Sequence, residues 1–420
     1  MSVPLPRPRP RLPGTGALHR LSLSLTRQAM LELGGVTAFC ALLTALQAFR
    51  VDLFTESHVA FAEPGWDHHA YIAMASNNPF DFHLAPFGWR PLVPAFARAL
   101  PFSLETSFFL IAFVALVATG VCLYYLAKAA GYGRWLGVAA VLLFQGLGWA
   151  VKFGLQDFWL PDATAFLAIA AATLFAARRQ PVLFAATLAA GAMAKESVLF
   201  AAPLYYTLNA GRLLDWRLLW RAAAAVAPAL VVALALRLAI PAQNGDAAYV
   251  ATLSPTLQAF REFIPDYHYI DLLRDIGEAR LHDHRSDTLL AYTSGTWGVG
   301  VLVLAALGAA TKPMLALRLA PMIVLGYSQL LFALNIERLL VVAFPAMVWL
   351  SLEGIRGLLQ VLRVPAAAAI VLAGGMMVLN LKDEALIPVS FELQTFVFAG
   401  CLVAVLALGI RRLMAPPPSG

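Results

Sequence analysis

The stretch TSFFLIAFVALVATGVCLYYLA, residues 106–127, contains no charged side chain. An apolar helix of about 20 residues spans the hydrocarbon core of a bilayer. Similar stretches recur along the 420-residue chain, which is 60% hydrophobic and 13% charged and has a mean hydropathy of +0.74. Soluble domains carry about 25% charged residues. The sequence therefore predicts an all-α polytopic membrane protein and excludes a globular protein with a single membrane anchor.

Twelve apolar stretches predict about twelve transmembrane helices in an integral membrane domain over residues 31–412. Several stretches are shorter than the about 20 residues of a full span, so their ends extend into polar flanks or the helices are broken. Residues 1–30, rich in Pro and Arg, are predicted to form a disordered basic cytoplasmic tail, and residues 413–420 a C-terminal tail. The stretches are 31–49, 106–127, 135–151, 163–177, 181–194, 198–211, 222–240, 297–310, 320–336, 339–352, 365–381 and 395–410.

The charges predict the orientation of the chain. If the N-terminus is cytoplasmic, the inner side holds 18 of the 30 Lys and Arg residues but only three of the 24 Asp and Glu residues. Cytoplasmic loops of membrane proteins are enriched in Lys and Arg in this way. Both termini are therefore predicted to be cytoplasmic. The pI of about 9.3 then reflects orientation rather than nucleic-acid binding.

Two outer segments are much longer than the other loops, at residues 50–105 and 241–296. They hold seven of the eight histidines. Within them, residues 91–101 and 256–282 are predicted to form interfacial helices that lie along the membrane. Polar chemistry is thus concentrated on the outer side.

Ionisable residues at membrane depth are costly and tend to be functional. The segment 66–94 gathers Asp67, Asp81, three histidines and Arg90, and four further charged groups fall at the outer ends of predicted spans. By the predicted topology they converge on one outward-facing site. The four groups are Lys152, Asp157 and Asp162; Lys195 and Glu196; Glu337 and Arg338; and Lys382, Asp383 and Glu384.

Several short motifs follow one another in this arrangement: WDHHAY from Trp66, PFGWRPLVP from Pro86, LPD before the fourth span, G-x-x-x-KE ending at Glu196, and a late ER…P beginning at Glu337. Over residues 30–350 this pattern resembles membrane glycosyltransferases of the GT-C class. These include the protein O-mannosyltransferases, the lipid A aminoarabinose transferase and the mannosyltransferases of lipid-linked glycan assembly.

The resemblance implies an enzyme that takes a sugar from a polyprenyl-phosphate donor and transfers it, with inversion, to an acceptor hydroxyl of a lipid, glycan or protein. The departing phosphate is a weak base, so one general base suffices. Asp67 is the predicted base, and Arg90, Lys195 and Arg338 are predicted to bind the donor phosphate. The predicted supporting residues are Tyr71, His68, His69, Glu196, Asp157, Asp162 and Glu337.

The sequence departs from the GT-C pattern in two ways. His68 and His69 stand where several members have a second acidic residue, and no large C-terminal soluble domain follows the last span. The metal requirement and the type of acceptor therefore stay open. A Mg²⁺ or Mn²⁺ ion bridging Asp67 and the donor phosphate is one interpretation, and solvated loop histidines are the other.

Each candidate residue also has a simpler interpretation. Asp67 could cap a helix, Arg90 could extend to lipid headgroups, Lys195 and Glu196 could form a structural ion pair, and Arg338 could mark the bilayer surface. A secondary transporter with an outward-facing charged site is the alternative function. The Ala-rich composition favours a bacterial inner-membrane protein, and the predicted topology then places the active site on the periplasmic side.

Overall fold

Helices make up all the regular secondary structure that the computed structural model describes, at residues 27–57, 66–212, 214–258, 286–331 and 336–380. This confirms the predicted all-α class for that part of the chain. The predicted span 395–410, most of the N-terminal tail and the C-terminal tail lie outside the described residues. The α-helices are α1 (Arg27–Ala48), α2 (Asp67–Ser76), α3 (Leu92–Ala99), α4 (Leu104–Ala129), α5 (Arg134–Gln145), α6 (Phe153–Gln156), α7 (Asp162–Ala177), α8 (Pro181–Ala192), α9 (Leu204–Asn209), α10 (Trp216–Ala239), α11 (Ala247–Thr252), α12 (Pro255–Gln258), α13 (Ser286–Trp297), α14 (Val299–Thr311), α15 (Pro313–Ser328), α16 (Ile336–Leu340), α17 (Phe344–Leu362) and α18 (Ala368–Asn380).

Fewer helices than the predicted twelve are long enough to cross a membrane. Among the described residues, four helices are long and apolar enough to cross a membrane: Gln28–Ala48, Leu104–Ala129, Trp216–Ala239 and Glu337–Leu362. The number rises to at most six if each of two bent helix pairs is counted as one span. The apolar helices α7, α8, α15 and α18 have only 10–17 residues. A helix rises about 1.5 Å per residue, so each is shorter than an about 30 Å hydrocarbon core.

The predicted span 198–211 is not one helix. A 3₁₀-helix at Glu196–Ala201 is followed by the six-residue helix α9. Pro203 precedes α9, and proline has no backbone N–H with which to continue a preceding helical turn. The apolar run is therefore divided into two short elements, and neither can cross a bilayer alone.

Two predicted spans bend sharply. In the predicted span 135–151, α5 and the following segment Gly148–Gln156, which begins with a π-helical turn, meet at 65°. At the start of the predicted span 297–310, the helices Leu290–Trp297 and Val299–Thr311 meet at 98°. Gly298 stands between them with φ +72°, a conformation that glycine adopts without a Cβ clash.

The helical segment Glu337–Leu362, which consists of most of α16, a 3₁₀ turn and α17, lies at the centre of the bundle, since 94% of its apolar window is buried. It packs closely against α14, because Gly308 and Gly354 lie at the contact. A Cβ on Gly308 would overlap the Leu350 carbonyl oxygen, and one on Gly354 would overlap that of Leu304. Small residues at helix contacts allow such close backbone approach in membranes. Helix α1 is peripheral, with 11% of its window buried.

Ion pairs divide the described residues into two ends. At one end, Lys128 donates to Glu32 at 2.6 Å, and Lys312 and Arg356 both contact Glu353. We call this the basic end. The ion pairs Lys128–Glu32, Lys312–Glu353 and Arg356–Glu353 each join two groups that the charge pattern assigns to the inner side.

The first outer segment folds into helices rather than an open loop. Helix α2 begins at Asp67, and α3 is amphipathic, with Val93 and Ala97 buried and Phe96 59% exposed. A helix near residues 91–101 is thus confirmed, at Leu92–Ala99, and its location at the membrane interface stays a prediction. Of the predicted helix at 256–282, only the short α12 lies within the described residues.

Candidate functional site

Arg338 lies at the centre of a buried charge cluster at the end opposite the basic end. Its Nη2 and Nε donate to the two carboxylate oxygens of Asp162, at 2.9 and 3.3 Å, and its Nη1 donates to Oδ2 of Asp67 at 2.9 Å. The guanidinium carbon lies 5.6 Å from the ring centroid of Phe153. Because the Arg338 side chain is only 7% exposed, the two carboxylates replace the solvation that water would give it.

Asp67, Asp162 and Arg338 all lie at or near the N-terminus of a helix. Asp67 is the first residue of α2, and Asp162 is the first residue of α7, directly after Pro161. A carboxylate is favourable at a helix N-terminus, where backbone N–H groups and the helix dipole present positive charge. Arg338 lies in the five-residue α16, which precedes a 3₁₀-helix and Pro345 at the start of α17. The 3₁₀ turn Val341–Ala343 joins α16 to α17, so Arg338 lies in the first turn of the continuous helical segment Glu337–Leu362 and contacts the two helix starts.

Lys195 is the second cation on Asp162. It follows α8 in an extended conformation, and its Nζ donates to Oδ1 of Asp162 at 2.5 Å. Burial lowers the pKa of Lys195 to about 8, although the Asp162 carboxylate opposes this shift. Asp162, at 1% exposure, therefore stabilises two buried cations at once.

Arg90 forms a neighbouring branch of polar contacts. Its Nε donates to Oε2 of Glu196 at 3.0 Å, and its Nη1 donates to the hydroxyl of Tyr71 at 3.0 Å. Tyr71 is fully buried, and burial raises its pKa. The charge of Arg90 also acts on Lys195, and that of Asp67 on Tyr71. The two branches therefore form one electrostatic unit.

His68 is buried beside Asp157. Its Nδ1 lies 3.7 Å from Oδ2 of Asp157, and its ring lies 4.5 Å, centroid to centroid, from that of His69. Burial raises the pKa of Asp157, and His68 opposes this shift. His68 thus lies in the protein interior, which contradicts the interpretation of it as a solvated loop histidine.

Asp67 is the most accessible carboxylate that contacts Arg338. Its side chain is 32% exposed, against 2% for Asp162. Only its Oδ2 accepts a hydrogen bond from the described residues. One carboxylate oxygen of Asp67 can therefore meet a molecule that approaches from outside, whereas Asp162 is enclosed by its two cations.

Most of the predicted site residues lie together, as the charge pattern predicts. Asp67, Arg338, Asp162 and Lys195 are joined by direct hydrogen bonds, and the Arg90 branch lies beside them. We call these residues, together with Arg90, Glu196 and Tyr71, the Asp67 cluster. Glu337 forms no ion pair with any described residue. The predicted group Lys382, Asp383 and Glu384 lies outside the described residues.

Arg237 is a contact residue that the sequence patterns do not indicate. Its guanidinium lies 4.6 Å from the ring centroid of Trp89, and its Nη2 lies 3.8 Å from Oε1 of Glu196. It is the basic residue in the last turn of α10. A lone arginine at the end of an apolar run is the only signal, and many arginines at a bilayer surface share it.

The cluster does not fit a resident metal ion. Among the residues that the structure describes, no group of three or more His, Cys, Asp and Glu side chains could hold one. Asp67 and Asp162 direct oxygens toward Arg338, and Lys195 also contacts Asp162. Asp162 is thus paired with two cationic side chains and Asp67 with one, which leaves a single Asp67 oxygen as a ligand for Mg²⁺ or Mn²⁺, fewer than either ion needs from a protein site.

Comparisons with known proteins identify no family. No protein-family model matches the chain, and no curated protein sequence matches it significantly.

Proposed function

We propose that this protein is an inverting glycosyltransferase that uses a polyprenyl-phosphate sugar and acts at the outer face of the membrane. The observation that carries the proposal is the position of Asp67, a partly exposed carboxylate hydrogen-bonded to a buried cluster that holds three cations. These groups come from four separate parts of the chain. A base that accepts the acceptor proton and cations that stabilise the departing phosphate would serve such a transfer.

The chemical step assigns one role to each kind of group. Asp67 accepts the proton of the acceptor hydroxyl, and the acceptor oxygen forms a bond to the anomeric carbon. The bond from that carbon to the phosphate oxygen breaks, and its electron pair leaves with polyprenyl phosphate. A single displacement inverts the configuration at carbon. Because the leaving phosphate is a weak base, no acid is required.

The cations would stabilise the departing phosphate. Lys195 has three N–H donors, and its contact with Asp162 uses one of them. Arg90 donates through Nε and Nη1 to Glu196 and Tyr71, which holds its planar guanidinium in one orientation. Fixed donors of this kind need little reorganisation when negative charge develops on the phosphate.

We infer a bacterial inner-membrane protein with cytoplasmic termini, about twelve membrane-crossing or re-entrant segments, and the Asp67 cluster on the periplasmic side. The positive-inside asymmetry supports this orientation, as does the grouping of basic side chains at the opposite end. The acceptor is a lipid, glycan or protein hydroxyl.

The test is donor-dependent labelling with purified protein, a panel of labelled polyprenyl-phosphate sugars and a mixture of membrane acceptors. Asp67→Asn is expected to lower transfer by about 10²- to 10⁴-fold, because it removes the base, while the protein elutes as a folded species. Asp81→Asn is the matched control, because Asp81 lies in the same outer segment and bonds only to Asn78 among the described residues. Unchanged transfer by Asp67→Asn would exclude Asp67 as the base.

A secondary transporter is the second candidate, and the two bent helix pairs favour it. Broken helices commonly line the binding sites of transporters, and the breaks here measure 65° and 98°. Reconstituted protein would then exchange a charged solute across vesicle membranes and would transfer no sugar to any acceptor. Sugar transfer without solute exchange supports the enzyme instead.

A further inference from the structure

A cleft opens at the basic end, far along the bundle from the Asp67 cluster. Its volume is about 700 Å³, and it lies between α8, α9 and α10. Small-molecule sites commonly measure about 300–1,000 Å³. The residues that matter for its chemistry are Arg179, Val182, Asn209, Leu218, Arg221 and Ala224. The cleft thus combines two guanidinium groups with apolar walls.

Arg179 is held in place at the edge of this cleft. Its Nε donates to Oδ1 of Asn209 at 2.9 Å, and the Asn209 amide donates in turn to the carbonyl oxygens of Ala176 and Tyr205. Asn209 is therefore oriented by two backbone groups and orients the arginine. A fixed guanidinium loses less conformational freedom when it binds an anion.

The backbone of Arg179 is in the left-handed region, with φ 57°. It follows α7 in a C-terminal motif in which Gln180 N–H donates to the Phe175 carbonyl and Arg179 N–H donates to that of Ala176. Glycine is the usual residue at this position, because a side chain there costs conformational energy. Arg179 therefore occupies a backbone position that glycine adopts at lower conformational cost.

Two helix N-termini lie at the same end. Helix α8 begins at Pro181 after Gln180, whose side chain makes no capping hydrogen bond, and α10 begins at Trp216 after Asp215. Helix N-termini carry partial positive charge that favours anions. Asp215 is the acidic group here, and its carboxylate accepts from the Leu218 N–H as the α10 cap. The C-termini of α7 and α9 also lie at this cleft and carry the opposite partial charge. The positive charge of the cleft therefore comes mainly from the guanidinium groups of Arg179 and Arg221.

Beyond the cleft, the surfaces of α8 and α10 are apolar and exposed. Val182 is 77% exposed at the start of α8, and Trp220 is 72% exposed on the first turns of α10. Leu230, Val231 and Leu234 extend the exposed apolar surface along α10. A soluble anion needs no such surface. A lipid needs it, because its acyl chains must follow the helices away from the headgroup.

We propose that this cleft binds the headgroup of an anionic phospholipid from the leaflet at the basic end. The phosphate lies between Arg179 and Arg221, and the acyl chains follow α8 and α10. The proposal does not depend on the glycosyltransferase function, because the cleft shares no residue with the Asp67 cluster. It assigns a lipid ligand to a face that the donor would not reach.

The experiment titrates full-length protein in detergent with phosphatidylglycerol or phosphatidylcholine and counts the bound lipid by native mass spectrometry. Two variants remove the site charges: Arg179→Gly, which also relieves the left-handed backbone, and Arg221→Gln. Each is expected to weaken phosphatidylglycerol binding about tenfold, the effect of one charge-assisted hydrogen bond. Ala224→Trp fills the cleft without changing charge and is expected to weaken binding similarly.

Matched controls separate a site from general attraction to a basic surface. Arg363→Gly removes another left-handed arginine, with φ 55° at the end of α17, and Arg217→Gln removes an arginine one turn before Arg221 on α10. Both are expected to leave binding unchanged. Equal losses in controls and site variants, or equal binding of phosphatidylcholine, would overturn the proposal. Displacement of the lipid by inorganic phosphate at matching concentration would identify a soluble-anion site and also overturn it.

Discussion

At the residue scale, Asp162 determines whether two buried cations are tolerated. It contacts both Arg338 and Lys195, and its side chain is 2% exposed. Asp162→Asn keeps the shape but leaves two cations without a full counter-charge. We expect a loss of about 3–5 kcal/mol in the free energy of unfolding, the usual effect of breaking a buried ion pair. Thermal unfolding in detergent measures it.

Asp67→Asn is the control for Asp162→Asn, and its effect on the free energy of unfolding is measured by the same thermal unfolding experiment. Asp67 is 32% exposed, and Arg338 keeps its two contacts with Asp162 when the Asp67 charge is lost. We therefore expect a much smaller change in stability. If Asp162→Asn is as stable as Asp67→Asn, then Asp162 is not the main counter-charge of the cluster.

The lowered pKa of Lys195 leads us to expect that donor binding depends on pH. Its pKa is lowered to about 8 by burial, so the ammonium is present below that pH and is lost as the pH rises through it. The affinity for a polyprenyl-phosphate sugar, whose phosphodiester charge is constant there, is expected to fall between about pH 7 and about pH 9.5. Equilibrium binding of a labelled donor across this range measures the effect.

Lys195→Arg provides the control for this pH dependence. Arginine stays charged throughout the range, so the affinity of this variant is expected to be nearly constant with pH. A fall of equal size in the wild type and in Lys195→Arg would assign the pH dependence to another group.

The sequence predicted the membership of the charge cluster better than its connections. Asp67, Lys195 and Arg338 are rare charges beside apolar runs, and costly residues of this kind are visible without a structure. Their pairing depends on where α2, α7 and α16 begin, which tertiary packing decides. Motif order therefore could not show that Asp162 is the shared counter-ion or that Arg237 joins Glu196.

At the element scale, the contact between α14 and α17 depends on glycine. A Cβ on Gly308 would overlap a backbone carbonyl, which cannot rotate away as a side chain can. Gly308→Ala is expected to force the two helices apart and to lower the free energy of unfolding by about 1–3 kcal/mol. Thermal unfolding in detergent again provides the measurement.

Gly375→Ala is the matched substitution for Gly308→Ala. Gly375 lies within α18, and a Cβ there would meet nothing within 4 Å. Alanine is the better helix former, so stability is expected to stay equal or to rise slightly. Similar effects of both substitutions would mean that helix propensity, rather than close packing, sets the result.

Helix type was easier to predict than helix continuity. The uninterrupted run 106–127 predicts a span, and α4 covers it completely. The runs 135–151 and 198–211 are nearly as apolar, yet one bends by 65° and the other divides at Pro203. Hydropathy measures transfer into the bilayer and does not depend on backbone direction, so a broken helix has the same hydropathy profile as a straight one.

At the scale of the whole molecule, we expect the Asp67 cluster and the basic end to lie on opposite faces of the membrane. Asn77 is exposed near the Asp67 cluster, and Gly133 is exposed at the basic end with open space around its Cβ position. In intact cells, a membrane-impermeant maleimide is expected to label Asn77→Cys and not Gly133→Cys. Labelling of both variants after the membrane is permeabilised provides the control. The reverse pattern in intact cells would invert the orientation.

The central position of α17 has a consequence for biosynthesis. The ribosome makes this helix after α1, α4 and α10, yet its apolar window is 94% buried. We therefore expect the earlier helices to leave a groove between them until the segment Glu337–Leu362 is made. A nascent chain that stops before residue 337 is expected to keep that groove open.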